Sequence, residues 1–184
     1  MRDEWDLALE IATALGDASE RETVAWRIYR GHRSARALEN LLAVIGPQRR
    51  DEVVSQETES IHANPGMNLD DARFLLDCDR MGDLERYVIE RARLLNGQFY
   101  YDLPALADGL MRSGYALAAS LVYRSLLDSI LAQARSKAYH HGRDYLRNLE
   151  VLAPSVTDWQ SWETHEAYLE RLRTEHKRKK TFWG

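Results

Sequence analysis

Residues 66–97 read GMNLDDARFLLDCDRMGDLERYVIERARLLNG, and the glycines frame the reading. Gly66, Gly82 and Gly97 stand 16 and 15 residues apart, and Gly114 follows 17 later. Between the first pair, Ala72, Leu75, Leu76 and Asp79 keep a spacing of three and four; between the second pair, Tyr87, Val88, Ala92 and Leu95 do the same. That is the period of an amphipathic helix. Glycine just past a helix end adopts a left-handed backbone without strain, so each glycine predicts a helix terminus. Asn68 and Asp83 stand where N-caps belong. A helix and a turn every ~15 residues make a helical hairpin every ~30 to 34.

The rhythm extends upstream through Gly16, Gly31 and Gly46. Trp26, Ile28 and Tyr29 lead into Gly31, and Ala35, Leu38, Leu41, Leu42 and Ile45 form a stripe ending at Gly46-Pro47. Ser19 with Glu22 reads as a capping box. Val53 to His62 is a more polar helix closed by Asn64-Pro65-Gly66, and Pro104 suits the first turn of another. Tyr115 to Ala134 is the most apolar segment: Ala118, Leu121, Val122, Leu126, Ile130 and Leu131 give it a wide apolar face and place it centrally. Polar residues interrupt it too often for a membrane span. Tyr139 to Leu152, stopped by Pro154, comes next. A last helix over 159–179 places Trp162, His165, Leu169, Leu172 and His176 on one seam; Gly109 and Gly142 break the rhythm and fall inside or at the edge of helices. No run of alternating apolar residues calls for a strand. The expectation is an all-α fold: a right-handed stack of about five antiparallel helical hairpins, a tetratricopeptide-like superhelix, forming one domain over 1–184.

Composition bounds the partners. The 184 residues are 45% hydrophobic, enough for a packed core. The net charge is −4, unevenly spread: from Glu170 to the end six basic residues face two acidic ones, so the tail carries +4 and the rest −8. Cys78 is the single cysteine, and the opening Met1-Arg2-Asp3-Glu4-Trp5-Asp6 lacks the apolar run of a signal peptide. Both fit a reduced, cytoplasmic setting without a membrane partner.

The residues that carry chemistry elsewhere form no recognisable constellation here. His140 and His141 point about 100° apart on a helix, and His165 and His176 lie roughly 16 Å apart along one, so neither pair chelates an ion alone. The run Asp77 to Asp83 imitates the start of a calcium loop, but Met81 and Val88 occupy ligand positions. Asp77 and Asp79 beside Cys78 disfavour its thiolate. No Gly-rich phosphate loop or nucleophile elbow occurs. No cofactor and no catalytic residue is therefore expected. The surface features that stand out are the basic tail, Lys177, Arg178, Lys179 and Lys180 beside Phe182 and Trp183, and the first helix, Trp5 to Leu15. On that helix Trp5, Ala8, Ala12 and Leu15 adjoin a second stripe of Leu7, Ile11 and Ala14, more apolar surface than one neighbour covers. A homodimer through this face, with Trp5 in it, is expected.

The C-terminal half also carries a resemblance. Leu121-Val122-Tyr123-Arg124-Ser125-Leu126-Leu127, Ser136-Lys137-Ala138-Tyr139-His140-His141 leading to Tyr145-Leu146, then Asp158-Trp159, His165, Tyr168, Leu172, His176, Arg178-Lys179 and Phe182-Trp183 resemble an uncharacterised bacterial helical-repeat family. Similar segments accompany SWIM-type zinc-finger domains. The resemblance implies tetratricopeptide-like hairpins and a chain that is the C-terminal part of a longer protein. The zinc-finger cysteines are missing, so no zinc role transfers, and the family supplies no catalytic residue. Stacked hairpins present an extended surface, so the expected function is a non-catalytic scaffold for a protein or peptide partner. A nucleic-acid-associated domain using the basic tail is the first alternative, and an enzyme with a site between helices the second.

Overall fold

A computed structural model of the chain describes residues 18–183, together with Glu10, Thr13 and Ala14. The described residues form helices joined by turns, with no strand among them. The expected helix from Trp5 to Leu15, and the dimer face on it, lie outside the described residues. The chain divides into two compact units: one runs to Asn64 and resumes over Asn68–Arg80, the other comprises Pro65–Met67 and Met81–Gly184.

The first unit contains α1 (Ala18–Gly31), α2 (Ala35–Ile45), α3 (Arg50–Ala63) and α4 (Leu69–Asp77). Ser34 caps α2 by accepting from the Ala37 amide, and Asn68 caps α4 by accepting from the Asp70 amide. Tyr29, Leu38, Leu41, Val53, Phe74 and Leu75 are buried in its core. Tyr29 meets Trp26 and Phe74 edge-on, with ring centroids 5.9 and 6.5 Å away.

The second unit contains α5 (Met81–Arg91), α6 (Leu103–Arg112), α7 (Ala116–Ala132), α8 (Tyr139–Leu152), α9 (His165–Glu175) and the short α10 (Lys180–Trp183). The expected central helix is α7, which buries thirteen of its seventeen residues. It packs against both α6 and α8, its neighbours in sequence. A helix buried on nearly every side needs small residues to let neighbours approach, and Ala116, Ala118 and Ala119 provide them. Pro104 sits in the first turn of α6, as expected.

Three helices end in one device that the glycine rhythm captures only once. After α4, α6 and α7 a residue turns left-handed, at Asp79, Gly114 and Ala134. Each time its amide and the next one reach back to two orphan carbonyls. Gly114 donates to Met111 and Tyr115 to Leu110; Asp79 donates to Leu76 and Arg80 to Leu75; Ala134 donates to Leu131 and Arg135 to Ile130. This is the Schellman closure, in which glycine is favoured and not obligatory. Because Asp79 takes the left-handed position, α5 starts at Met81. Gly82 then lies inside its first turn, and Asp83 is a first-turn residue bonded to Arg86 rather than the N-cap.

The final helix is also corrected. It starts at His165, capped by Thr164, and ends at Glu175; residues 159–164 form an irregular turn. Trp162 is therefore off the helix, and the buried seam is His165, Tyr168 and Leu172, with Leu169 only half-buried.

Candidate functional site

A cleft of about 670 Å³ opens in the second unit between the 95–98 turn, α7 and the start of α9. Glycine places the turn. A Cβ at Gly97 would overlap the Ser125 carbonyl oxygen and come within 2.8 Å of the Ser129 Cβ, so the turn rests directly on the α7 backbone. Asn96 holds the turn by accepting from the Gln98 amide at 3.0 Å. Ser125 and Ser129 from α7 and Gln133 at its C-cap supply polar groups to the cleft, while Leu95, Leu121 and Trp162 supply apolar ones.

Arg124 lines this cleft and is only 6% exposed. Its guanidinium lies between two aromatic faces, 4.3 Å from the Trp159 ring centroid and 4.5 Å from that of Tyr168. Nη1 donates to the Glu163 carbonyl at 2.8 Å. Nε and Nη2 are buried and find no acceptor among the described residues. Burial pulls the guanidinium below the usual arginine range, against the upward pull of Tyr168, Glu163 and Asp128. The nearby acids are engaged elsewhere. Arg171 Nε lies 3.1 Å from both Glu163 carboxylate oxygens, and its Nη2 lies 3.6 Å from Asp128 Oδ2. The buried Tyr168 hydroxyl donates to Asp128 Oδ1 at 3.0 Å. Burial holds Asp128 above the ordinary aspartate range despite Arg171 and Tyr168. His165 is depressed by burial and then by Arg124, and its Nδ1 is buried without a partner.

The outer edge of the 95–98 turn is apolar and exposed. Leu94, Phe99 and Tyr100 each show about half of their surface, and Tyr101 is 81% exposed. Tyr100 and Tyr101 stack on one another at 4.4 Å, with Arg135 above Tyr100. None of this aromatic turn stands out in the sequence. Phe99, Tyr100 and Tyr101 are adjacent and outside any helical period, and only their exposure distinguishes them from core residues.

Lys177, Arg178 and Lys180 are exposed, and Lys179 donates to His176 Nδ1 at 3.1 Å. The segment turns back onto α8: Phe182 is buried against Tyr139, ring centroids 5.5 Å apart, and Trp183 Nε1 donates to the His176 carbonyl. Trp5 lies outside the described residues. His140 and His141 stack at 3.9 Å on the exposed face of α8. No group of three or more His, Cys, Asp or Glu among the described residues is arranged to hold a metal ion. Half-buried Cys78 has its thiol raised, by burial first and by Asp77 and Glu39 after it. No helix among the described residues is long and apolar enough to cross a membrane.

The chain belongs to a family of unknown function (DUF6880), whose sequence pattern matches residues 1–184. No curated protein and no solved structure matches it.

Proposed function

We propose that the protein is a non-catalytic recognition module that holds a segment of a partner protein in the cleft of its second unit. The observation that carries this reading is the exposed rim of Leu94, Phe99, Tyr100 and Tyr101 beside a cleft with polar and apolar walls. Aromatic side chains contribute most of the affinity in protein recognition, and clustered apolar exposure beside a concavity marks such surfaces. Serine, asparagine and glutamine side chains along the cleft suit the backbone amides of an extended segment. Consecutive helices packing side by side agree with a tetratricopeptide-like winding, the architecture we infer for the unit.

Panning a random heptapeptide library against the full chain tests the reading. Enriched peptides should bind the wild type and lose about tenfold in affinity for a Tyr100→Ala, Tyr101→Ala variant that remains folded. Enriched peptides indifferent to those changes, or no enrichment, would refute it.

A nucleic-acid role for the tail has one supporting contact. Arg143 Nη1 donates to the Thr181 carbonyl at 3.1 Å, which brings a fifth cation beside Lys177, Arg178, Lys179 and Lys180. Salt-dependent binding of single-stranded RNA or DNA, lost when those four become Gln, would support it.

A further inference from the structure

We infer that the cleft recognises a carboxylate, and that Arg124 is the residue that takes it. This deepens the recognition-module reading and rests on it. Arg124 is a buried charge without a full set of partners. A guanidinium buried to this degree is costly unless a carboxylate or a full set of hydrogen bonds compensates it. Arg124 has neither: one nitrogen reaches the Glu163 carbonyl, and no carboxylate pairs with it among the described residues. The faces of Trp159 and Tyr168 offset part of the cost. They also fix the plane of the guanidinium, so its remaining edge is pre-oriented.

That edge is Nε and Nη2, the two donors that lie parallel on one side of the group. Their spacing matches the two oxygens of a carboxylate. The surroundings choose a carboxylate over a phosphate. A single unpaired cation balances a single negative charge, whereas a second charge on the ligand would meet the Asp128 and Glu163 carboxylates on the same wall. Arg171 offers nothing further, since Glu163, Glu175 and Asp128 occupy it. Both free nitrogens are enclosed, close to the Trp159 ring and the Glu163 carbonyl. A carboxylate arriving from the cleft therefore takes the place of the Ser161 and Trp162 side chains on the cleft wall, while Trp159 stays on the guanidinium face and Glu163 keeps its carbonyl contact. Ser161 and Trp162 stand outside any regular secondary structure and follow a left-handed Gln160, so their movement breaks no helix. The occupant is thus a protein segment that presents either a C-terminal carboxylate or an acidic side chain, with an apolar neighbour for the aromatic rim.

Nuclear magnetic resonance on the full chain tests this with four probes: N-acetyl-phenylalanine, N-acetyl-phenylalaninamide, N-acetyl-glutamic acid α-amide and inorganic phosphate. The expected result is that one or both carboxylate probes move the Arg124 Nε–H resonance and the amides of residues 159–163. The tighter of the two identifies a terminal or a side-chain carboxylate. Arg124→Lys, which keeps the charge and loses the fork, should weaken that probe about tenfold and leave the phenylalaninamide unchanged. If the phenylalaninamide binds as tightly as N-acetyl-phenylalanine, at the Gly97 and Ser125 amides, the carboxylate inference falls and the recognition module stands. Tighter binding of phosphate at Arg124 also overturns the inference. If no probe moves any cleft resonance, both fall.

Discussion

At the scale of single residues, buried charge separates the two units. In the first, Arg33 Nε donates to Glu57 at 2.9 Å and Nη1 to Asp71 at 2.5 Å, and both carboxylates are almost fully buried. Arg33 stands in the short link between α1 and α2, while Glu57 and Asp71 belong to α3 and α4. The cation therefore ties three parts of that unit together. Replacing it with Met should cost about 3–5 kcal/mol, since it strands the buried Asp71 and leaves Glu57 only the more distant Arg30 at 4.0 Å; urea unfolding of the variant measures this. In the second unit the cation is the group left over, at Arg124. Neither pattern is legible in the sequence, where 54 charged residues offer no sign of which are buried. A charged residue in the middle of the most apolar helix was the available signal for Arg124.

His165 gives a pH prediction of known sign. Burial and Arg124 hold it below the ordinary histidine value, with Glu166 and Glu150 pulling the other way. The unfolded chain then binds the proton more tightly than the folded one. The contribution is complete above the unfolded value of about 6.5, and stability is lost as pH falls through that value toward the folded one. The thermal midpoint should drop between pH 7.5 and 5.5, less steeply in His165→Gln. His176 is depressed too, by burial and Lys179, so part of the slope persists in the variant. An unchanged slope would contradict the assignment.

At the scale of elements, helices were readable and their ends less so. The 3.6-residue period located α2, α7 and α8 to within a residue or two, because α2 and α8 each turn an apolar stripe to the core of their own unit and α7 is apolar on nearly every side. The glycine rhythm misjudged the start of α5, since Asp79 and not Gly82 is the left-handed closure before it; Ala134 closes α7 in the same way. Aspartate tolerates that conformation through its short polar side chain; alanine does not. Ala134→Gly should therefore stabilise the protein by about 1 kcal/mol. A calorimetric scan showing a lower melting temperature would contradict the Schellman ending of α7. The last helix was overextended for a different reason. Residues 159–164 are polar and aromatic without a breaker, and their irregular path follows from Trp159 stacking on Arg124 and from the Thr164 cap, neither of which has a local sequence signature.

At the scale of the whole molecule, the features that bear on function concentrate in the second unit. It holds the cleft, the aromatic rim, the unpaired Arg124 and the basic tail. The tail was the conspicuous feature of the sequence because charge runs are visible in one dimension. The cleft was not, because it combines a turn at Gly97, a face of α7 and the 159–163 turn, which only folding brings together. The proposed recognition lies in the cleft and not in the tail. Isothermal titration of an enriched heptapeptide against three full-length variants decides between them: Arg124→Lys, Tyr101→Ala, and the fourfold Lys177→Gln, Arg178→Gln, Lys179→Gln, Lys180→Gln. Binding should be about tenfold weaker in each of the first two and of wild-type affinity in the fourfold variant. Wild-type affinity in both cleft variants, with binding lost in the tail variant, would contradict it.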